Sequence, residues 1–368
     1  MASVSTPDIE RSFGASHALA TAILFLVPGI VAFAIEPWLF VLADRYPRRW
    51  FIRGGVAAMA IASVIAAFSS GPSALAGSQA LLWCAIGSAS GLAQATLVDD
   101  ATRSAEDTRA RTIARWTLWS LIGDIGAPAL LAVLAVAGFG WRTGYGIVAV
   151  VLAGWTLALA FAPIEGVGDN DDDEGESVGV LAAFREALRD RTLLAWLFAT
   201  ALCDLLDEIF VVLASIRVRD GFGASAAWQT ATIVAFVIGD VIGLVVLDRV
   251  LKRASELRVL AIAAAGCAIA YVAWLLAPSV AWNVVLIVPV GLFAGPLYPL
   301  ASAQAYAARP ESSGVVLAAS HLFTPLGLVL PFALGAIADV AGIEIALAVL
   351  VIQPIALCMF AIWQAKRQ

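Results

Sequence analysis

Glu36-Pro37-Trp38-Leu39-Phe40-Val41-Leu42-Ala43-Asp44-Arg45-Tyr46-Pro47-Arg48-Arg49 decides the fold. An apolar run ends in one acid and three arginines packed into a tight turn. Charge at that density cannot sit in hydrocarbon, so the turn marks a membrane surface. Basic residues in a short loop beside a span mark the cytoplasmic side. A second copy follows far downstream, from Asp240 through Asp248-Arg249 to Lys252-Arg253. In both copies an intramembrane acid precedes an Asp-Arg pair by eight residues, and two basic residues close the turn. Two copies at the same step of two hydrophobic halves argue for internal duplication.

Composition fits that reading. The chain is 61% hydrophobic and 14% charged, against roughly 45–50% and 25% in soluble domains. Eleven spans can be read: 18–43, 54–70, 75–97, 117–138, 143–162, 193–215, 226–247, 258–277, 281–305, 314–337 and 343–363. Each is long enough to cross a hydrocarbon core of roughly 30 Å at about 1.5 Å per residue. The predicted fold is therefore an all-α polytopic membrane protein. Its expected parts are an N-terminal bundle (1–162), an acidic linker with an amphipathic helix (163–190) and a C-terminal six-helix bundle (191–368). The linker crowds Asp169, Asp171, Asp172, Asp173, Glu174 and Glu176, which repel one another and bury nothing.

Orientation comes from the basic residues. Of 22 Lys and Arg, 18 fall on the side of the Asp-Arg turns and four on the other. That predicts a cytoplasmic C-terminus in a bacterial inner membrane. The net charge of −6 comes largely from the linker, and no basic patch suggests nucleic acid. The four cysteines lie in apolar runs as small hydrophobes. No cofactor or metal is expected, and no Ser/His/Asp set or phosphate loop suggests an enzyme.

Ala43-Asp44-Arg45-Tyr46-Pro47-Arg48-Arg49 resembles the loop signature between helices 2 and 3 of the major facilitator superfamily of transporters, roughly Gly-x-x-x-Asp-Arg-x-Gly-Arg-Arg. Phe40 and Pro47 stand where its glycines belong. The resemblance implies a pseudo-twofold pair of helical bundles working by alternating access. It also implies a latch: Asp44 facing backbone N–H groups near Ser312–Gly314, and one of Arg45, Arg48 or Arg49 reaching Asp99 or Asp100. Asp248 and Arg249 would be the second copy's gating pair. Phe13-Gly14-Ala15-Ser16 recurs as Phe222-Gly223-Ala224-Ser225, each ahead of the helix that ends in an Asp-Arg turn. A complete span precedes the second copy, and only a dozen residues precede the first. The family's first helix is thus expected to be missing here, its outer loop and last turn lying before Ser16. A late start codon, a clipped chain or a genuine eleven-span protein would each account for this.

Carboxylates in hydrocarbon are costly, which makes Glu36, Asp124, Asp204, Asp207, Glu208 and Asp240 candidates for substrate or proton binding. Glu36 and Asp240 occupy matching positions in the two halves. Either could instead hold the bundle by hydrogen bonds, and Glu36 could serve backbone freed by Pro37. Asp204, Asp207 and Glu208 share one helix face, with Trp196, Phe210 or Trp83 as aromatic lining. Gly123-Asp124-Ile125-Gly126-Ala127-Pro128 faintly resembles the family's fifth-helix antiporter signature; close packing of small residues is the alternative. His321, near Thr324 and Pro325, reads as a satisfied polar residue or a proton relay. The function expected is proton-coupled export of a small lipophilic or cationic compound by a monomer in the lipid bilayer. The alternatives are a sugar or neutral-metabolite transporter and a non-transporting relative.

Overall fold

In the computed structural model, the structure describes all residues except 1–8, 15, 17, 18, 21, 105–107, 163–179, 311 and 368. Among the described residues there is no strand. A helical turn at 9–13 precedes twelve helices: α1 (Ala22–Leu42), α2 (Arg48–Ala67), α3 (Pro72–Arg103), α4 (Arg109–Val136), α5 (Trp141–Phe161), α6 (Val180–Ala187), α7 (Arg191–Ile216), α8 (Ala226–Val250), α9 (Glu256–Leu275), α10 (Val280–Ala308), α11 (Ser313–Ala341) and α12 (Ile343–Ala365). Ten of them, all but α6 and α7, are long and apolar enough to cross a membrane. Helix α7 is as long, with 26 residues. No stretch of it that could span avoids Asp204, Asp207 and Glu208, which is why it stands apart. The eleven expected spans thus correspond to α1–α5 and α7–α12. The expected amphipathic helix is α6; the acidic stretch before it lies outside the described residues.

Local chemistry sets the ends. Asp190 caps α7 by accepting from the N–H groups of Thr192 (2.9 Å) and Leu193 (3.1 Å), satisfying donors that a helix start leaves open. Pro72 opens α3, where its missing N–H costs nothing. Interior prolines at 37, 128, 289 and 331 are the kind that membrane helices tolerate.

The chain forms two compact units. The first holds residues 1–100, 120–188 and 311–321, and the second holds 101–119, 189–310 and 322–368. The first turns of α11 therefore belong with the N-terminal half, and the first turns of α4 with the C-terminal half. In the first unit Ile9, Ile23, Leu24, Ala66, Leu75, Trp141 and Tyr145 form one core. Phe40, Val41, Ala43, Ile52, Leu92 and Ala318 form another, with Phe184 of α6 packed on it. The second unit centres on Phe210, Phe236, Tyr271 and Trp274, with Phe210 ring centroids 4.7–5.6 Å from the other three. There α8 and α10 cross at contact distance. A Cβ on Gly239 or Gly243 would collide with α10 backbone, and one on Gly291 with α8 backbone. Two small-xxx-small pairs are thereby brought face to face.

The duplication is visible in detail. Gly14 and Gly223, in the repeated Phe-Gly-Ala-Ser corners, both have φ 59°, a left-handed conformation that glycine adopts without strain. Four residues before each corner's phenylalanine, Ile9 and Val218 are fully buried. Beneath Phe13 lies the Arg142 guanidinium (5.3 Å), which donates to the Ser69 carbonyl (3.1 Å) just past α2. Beneath Phe222 lies Arg217 (5.4 Å), which donates to the Trp274 and Leu275 carbonyls at the end of α9. The residues at 9–13 therefore pack as the last turn of a helix does.

Candidate functional site

The Arg-rich turn is built around Arg48, whose side chain is 1% exposed. One of its terminal nitrogens donates to Asp99 Oδ2 (2.7 Å) at the end of α3. The other donates to Asp44 Oδ1 (2.6 Å) and to the Ser313 hydroxyl (2.8 Å). Ser313 in turn donates to Asp99 Oδ2 (2.7 Å). Asp44 accepts from the Gly314 N–H (3.1 Å) and the Val315 N–H (2.9 Å) at the start of α11. This is a carboxylate on a helix N-terminus, where open N–H groups and the helix dipole favour an anion. Burial pushes the Asp44 carboxyl above its usual range, while Arg48 and the Val315 and Gly314 N–H groups pull it back. Gly314 has to be glycine: a Cβ there would lie 2.5 Å from both Asp44 Oδ1 and the Phe40 carbonyl oxygen.

Of the basic residues expected at this place, the structure uses Arg48. Arg45 and Asp100 are exposed and Arg49 is half-buried. The Asp44 contacts fall on Gly314, inside the expected 312–314, and on Val315, one residue beyond it. Ser313 completes the cluster, and nothing in the sequence singled it out.

The second turn binds differently. Asp248 Oδ1 accepts from Arg115 Nε (2.9 Å), and Arg111 Nε lies 3.3 Å from the same oxygen and donates to the Asp248 carbonyl (3.2 Å). Both arginines stand in the first turns of α4. Arg249 is exposed and bonds back to the Val245 carbonyl (3.5 Å). The repeat thus pairs one turn with the start of α11 through backbone, and the other with the start of α4 through guanidinium groups. The sequence reading missed Arg111 and Arg115. The duplication was the signal for them, since α4 and α11 hold equivalent places in the two halves.

Two turns of helix above Asp44, Glu36 lies buried with Oε2 3.2 Å from His321 Nε2. The Phe40 ring rests on the imidazole (5.4 Å between centroids), and His321 Nδ1 is buried without a hydrogen-bond partner. Glu36 also presses on Gly87, where a Cβ would overlap its carboxyl. Both neighbours stand on irregular turns: Gly87 opens a π-turn at Gly87–Gly91, and His321 opens a 3₁₀ turn at His321–Phe323. Such turns within long helices recur at functional positions. Neither the backbone near Pro37 nor the hydroxyl of Thr324 is the partner in this pair.

Asp240 is buried in the second unit against Gly295, whose Cβ would overlap Asp240 Oδ1; that oxygen has no hydrogen-bond partner. Glu36 and Asp240 therefore share one environment, a carboxyl against a glycine two helices along the chain. Asp204 is exposed on α7. Asp207, Glu208 and Asp124 lie on helices, but their side chains are outside the described residues. Trp196 and Phe210 are core residues rather than lining: Trp196 packs on Phe360 (4.7 Å), and Phe210 is fully buried among rings. Among the described residues no group of three or more His, Cys, Asp or Glu could hold a metal ion.

A duplicated set of membrane-length helices with paired Asp-Arg turns and buried carboxyls defines a polytopic membrane transporter. The family model described as Major Facilitator Superfamily matches residues 1–331, and the chain belongs to that family of transporters. No curated protein sequence matches the chain. Among solved structures it is similar to an E. coli fucose:proton symporter, FucP, with TM-score 0.70 and 13% identity over 97% of this chain and 95% of that one. It is also similar to a proton:xylose symporter, XylE, with TM-score 0.72 and 13% identity over 98% and 90%. The human organic anion transporter MFSD10 gives TM-score 0.71 and 14% identity over 97% and 88%. At such identities these matches establish the fold alone.

Proposed function

We propose that this transporter is proton-coupled, works by alternating access, and exports a small lipophilic or cationic organic compound. The observation that carries the coupling is the Glu36–His321 pair. A carboxyl and an imidazole stand 3.2 Å apart in an apolar setting, bringing α1 of one sequence half against α11 of the other. A proton taken up or released there changes the charge of the pair, and an isolated charge in hydrocarbon is costly. The same two helices meet at Asp44, so a rearrangement at one contact bears on the other. Asp240 holds the equivalent place in the second half. Asp204, Asp207, Glu208 and Asp124 are retained as candidate contacts for substrate or proton.

Arg48, Asp44, Asp99 and Ser313 serve in this reading as a cytoplasmic latch, with Asp248, Arg111 and Arg115 as its counterpart. The 18-to-4 distribution of basic residues supports a cytoplasmic position for both turns and for the C-terminus. The scarcity of cations within the spans favours cationic or neutral cargo over anions. A second reading, proton-driven symport of a sugar, is favoured by the printed activities of FucP and XylE.

The test is flux in proteoliposomes across a compound panel with an imposed pH gradient. We expect at least one organic cation or lipophile to be driven by the gradient, and Glu36→Gln to abolish the gradient dependence while counterflow persists. Flux of the identified substrate that ignores the gradient in the unaltered protein would defeat the proton coupling. Gradient-driven movement of sugars alone would select the second reading.

A further inference from the structure

Helix α6 leaves a gap against α1. Phe33, Ala34, Pro37, Trp38 and Val41 of α1, with Phe184 of α6, line an apolar cavity of about 210 Å³. Those α1 positions form one helical face, and it is a different face from that of Glu36, which turns to Gly87 and His321. Phe33 and Trp38 are 45% and 60% exposed, so the cavity opens outward. From Val41 to Phe33 it runs roughly 12 Å along the helix axis, starting one turn from the Arg-rich surface and going into the hydrocarbon. Toward the Arg-rich surface Arg45 follows Val41 by four residues and Arg185 follows Phe184 directly; both side chains are exposed. Tyr46 on the turn (58%) and Trp50 at the start of α2 (64%) are exposed, as interfacial aromatics are.

The geometry points to a binding site for one phospholipid of the adjoining leaflet, with an acyl chain in the cavity and an anionic headgroup at Arg45 and Arg185. An apolar slot along the membrane normal suits a hydrocarbon chain, because burying each methylene there is favourable. Charge complementarity selects the headgroup: basic side chains at a membrane surface attract anionic lipid, and two of them are worth on the order of tenfold in affinity. Phe184 also packs on the cluster of Phe40, Val41 and Ala318, so the lipid would brace α6 where α1 and α11 meet. The site needs only that α1 spans the bilayer. It is independent of proton coupling, and either idea can fail without the other.

Trp38 makes the site observable. The full-length protein and its Trp38→Phe variant are placed in nanodiscs containing phosphatidylglycerol or phosphatidylcholine brominated on the acyl chains. The Trp38 component is the difference in fluorescence between the two proteins. We expect it to be quenched at about tenfold lower mole fraction of the brominated phosphatidylglycerol. Arg185→Gln, at an exposed position that leaves folding intact, should reduce that preference to about threefold. Adding Arg45→Gln should remove it, and Ala34→Phe should shield Trp38 from both lipids. Equal quenching by the two lipids overturns the proposal. So does a preference that survives both arginine changes, or quenching that Ala34→Phe leaves untouched, since Trp38 would then be reporting bulk lipid. Displacement of the brominated lipid by a transported lipophile would also overturn it, by making the cavity a cargo portal.

Discussion

Replacing Asp44 with asparagine keeps the shape of the side chain and removes one acceptor and the charge. The carboxylate takes three donors: Gly314 N–H, Val315 N–H and the Arg48 guanidinium. An amide has one oxygen. Turned one way, its NH2 meets the Val315 N–H; turned the other, it meets both the Gly314 N–H and Arg48, so donor faces donor in either case. Hydrogen bonds to charged groups contribute about 1.5–3 kcal/mol each. Burial works against the charge here, enough to raise the carboxyl's affinity for protons despite its partners. The net loss should therefore lie near the lower end for a multiply bonded group, about 2 kcal/mol, or roughly thirtyfold in the latched population at about 1.4 kcal/mol per decade. Ala318 is 1% exposed beneath the contact, so an Ala318→Cys probe reports opening through its alkylation rate by a membrane-impermeant maleimide. We expect that rate to rise by about thirtyfold on adding Asp44→Asn, and transport to collapse while membrane insertion is normal. An alkylation rate changed by less than twofold in a correctly inserted protein would refute the reasoning, whatever happened to transport.

Gly314→Ala should open the same probe with every charge intact, since its Cβ would displace Asp44 and the α1 backbone; alkylation of Ala318→Cys checks it. Arg48→Gln removes a fully buried cation that bridges Asp44, Asp99 and Ser313 and should cost about 3–5 kcal/mol. Arg115→Gln touches a half-exposed pair with Asp248 and should cost under about 1 kcal/mol; thermal unfolding in detergent should rank the two variants in that order. Gly295→Ala drives a methyl into Asp240 at the α8–α10 crossing and should cost about 1–3 kcal/mol by overpacking, read as a lowered Tm. The same change at Gly335, where a Cβ meets nothing within 4 Å, should leave the Tm alone.

The span pattern and the two Asp-Arg turns were legible because hydrocarbon imposes its demands residue by residue: long apolar runs, and charge only at their ends. Repetition carried the next level. Phe13-Gly14 and Phe222-Gly223 announced equivalent corners, and the matched φ values follow from the glycines. What composition could not supply was the partner of each side chain. Arg45, Arg48 and Arg49 are chemically alike, and only the direction in which α2 leaves the turn selects Arg48. His321 lies far along the chain from Glu36, and nothing local ties them. Trp196 and Phe210 look like cavity aromatics in a list of residues, yet each meets another ring inside its own unit. Asp204 drew notice for its acidic neighbours, whereas the better-buried acids are Glu36 and Asp240, each backed by a glycine.

The π-turn at Gly87–Gly91 stores one surplus residue in α3. Were it to relax to ordinary pitch, the far portion of the helix would advance by one position, bringing Ser88 to the spot where bare glycine now meets Glu36. A hydroxyl at Glu36 Oε1 would then compete for the acid with the imidazole at Oε2. Such a slip needs no unfolding and no bending of the rod, and it would let a quarter-turn of one helix decide which neighbour the acid keeps.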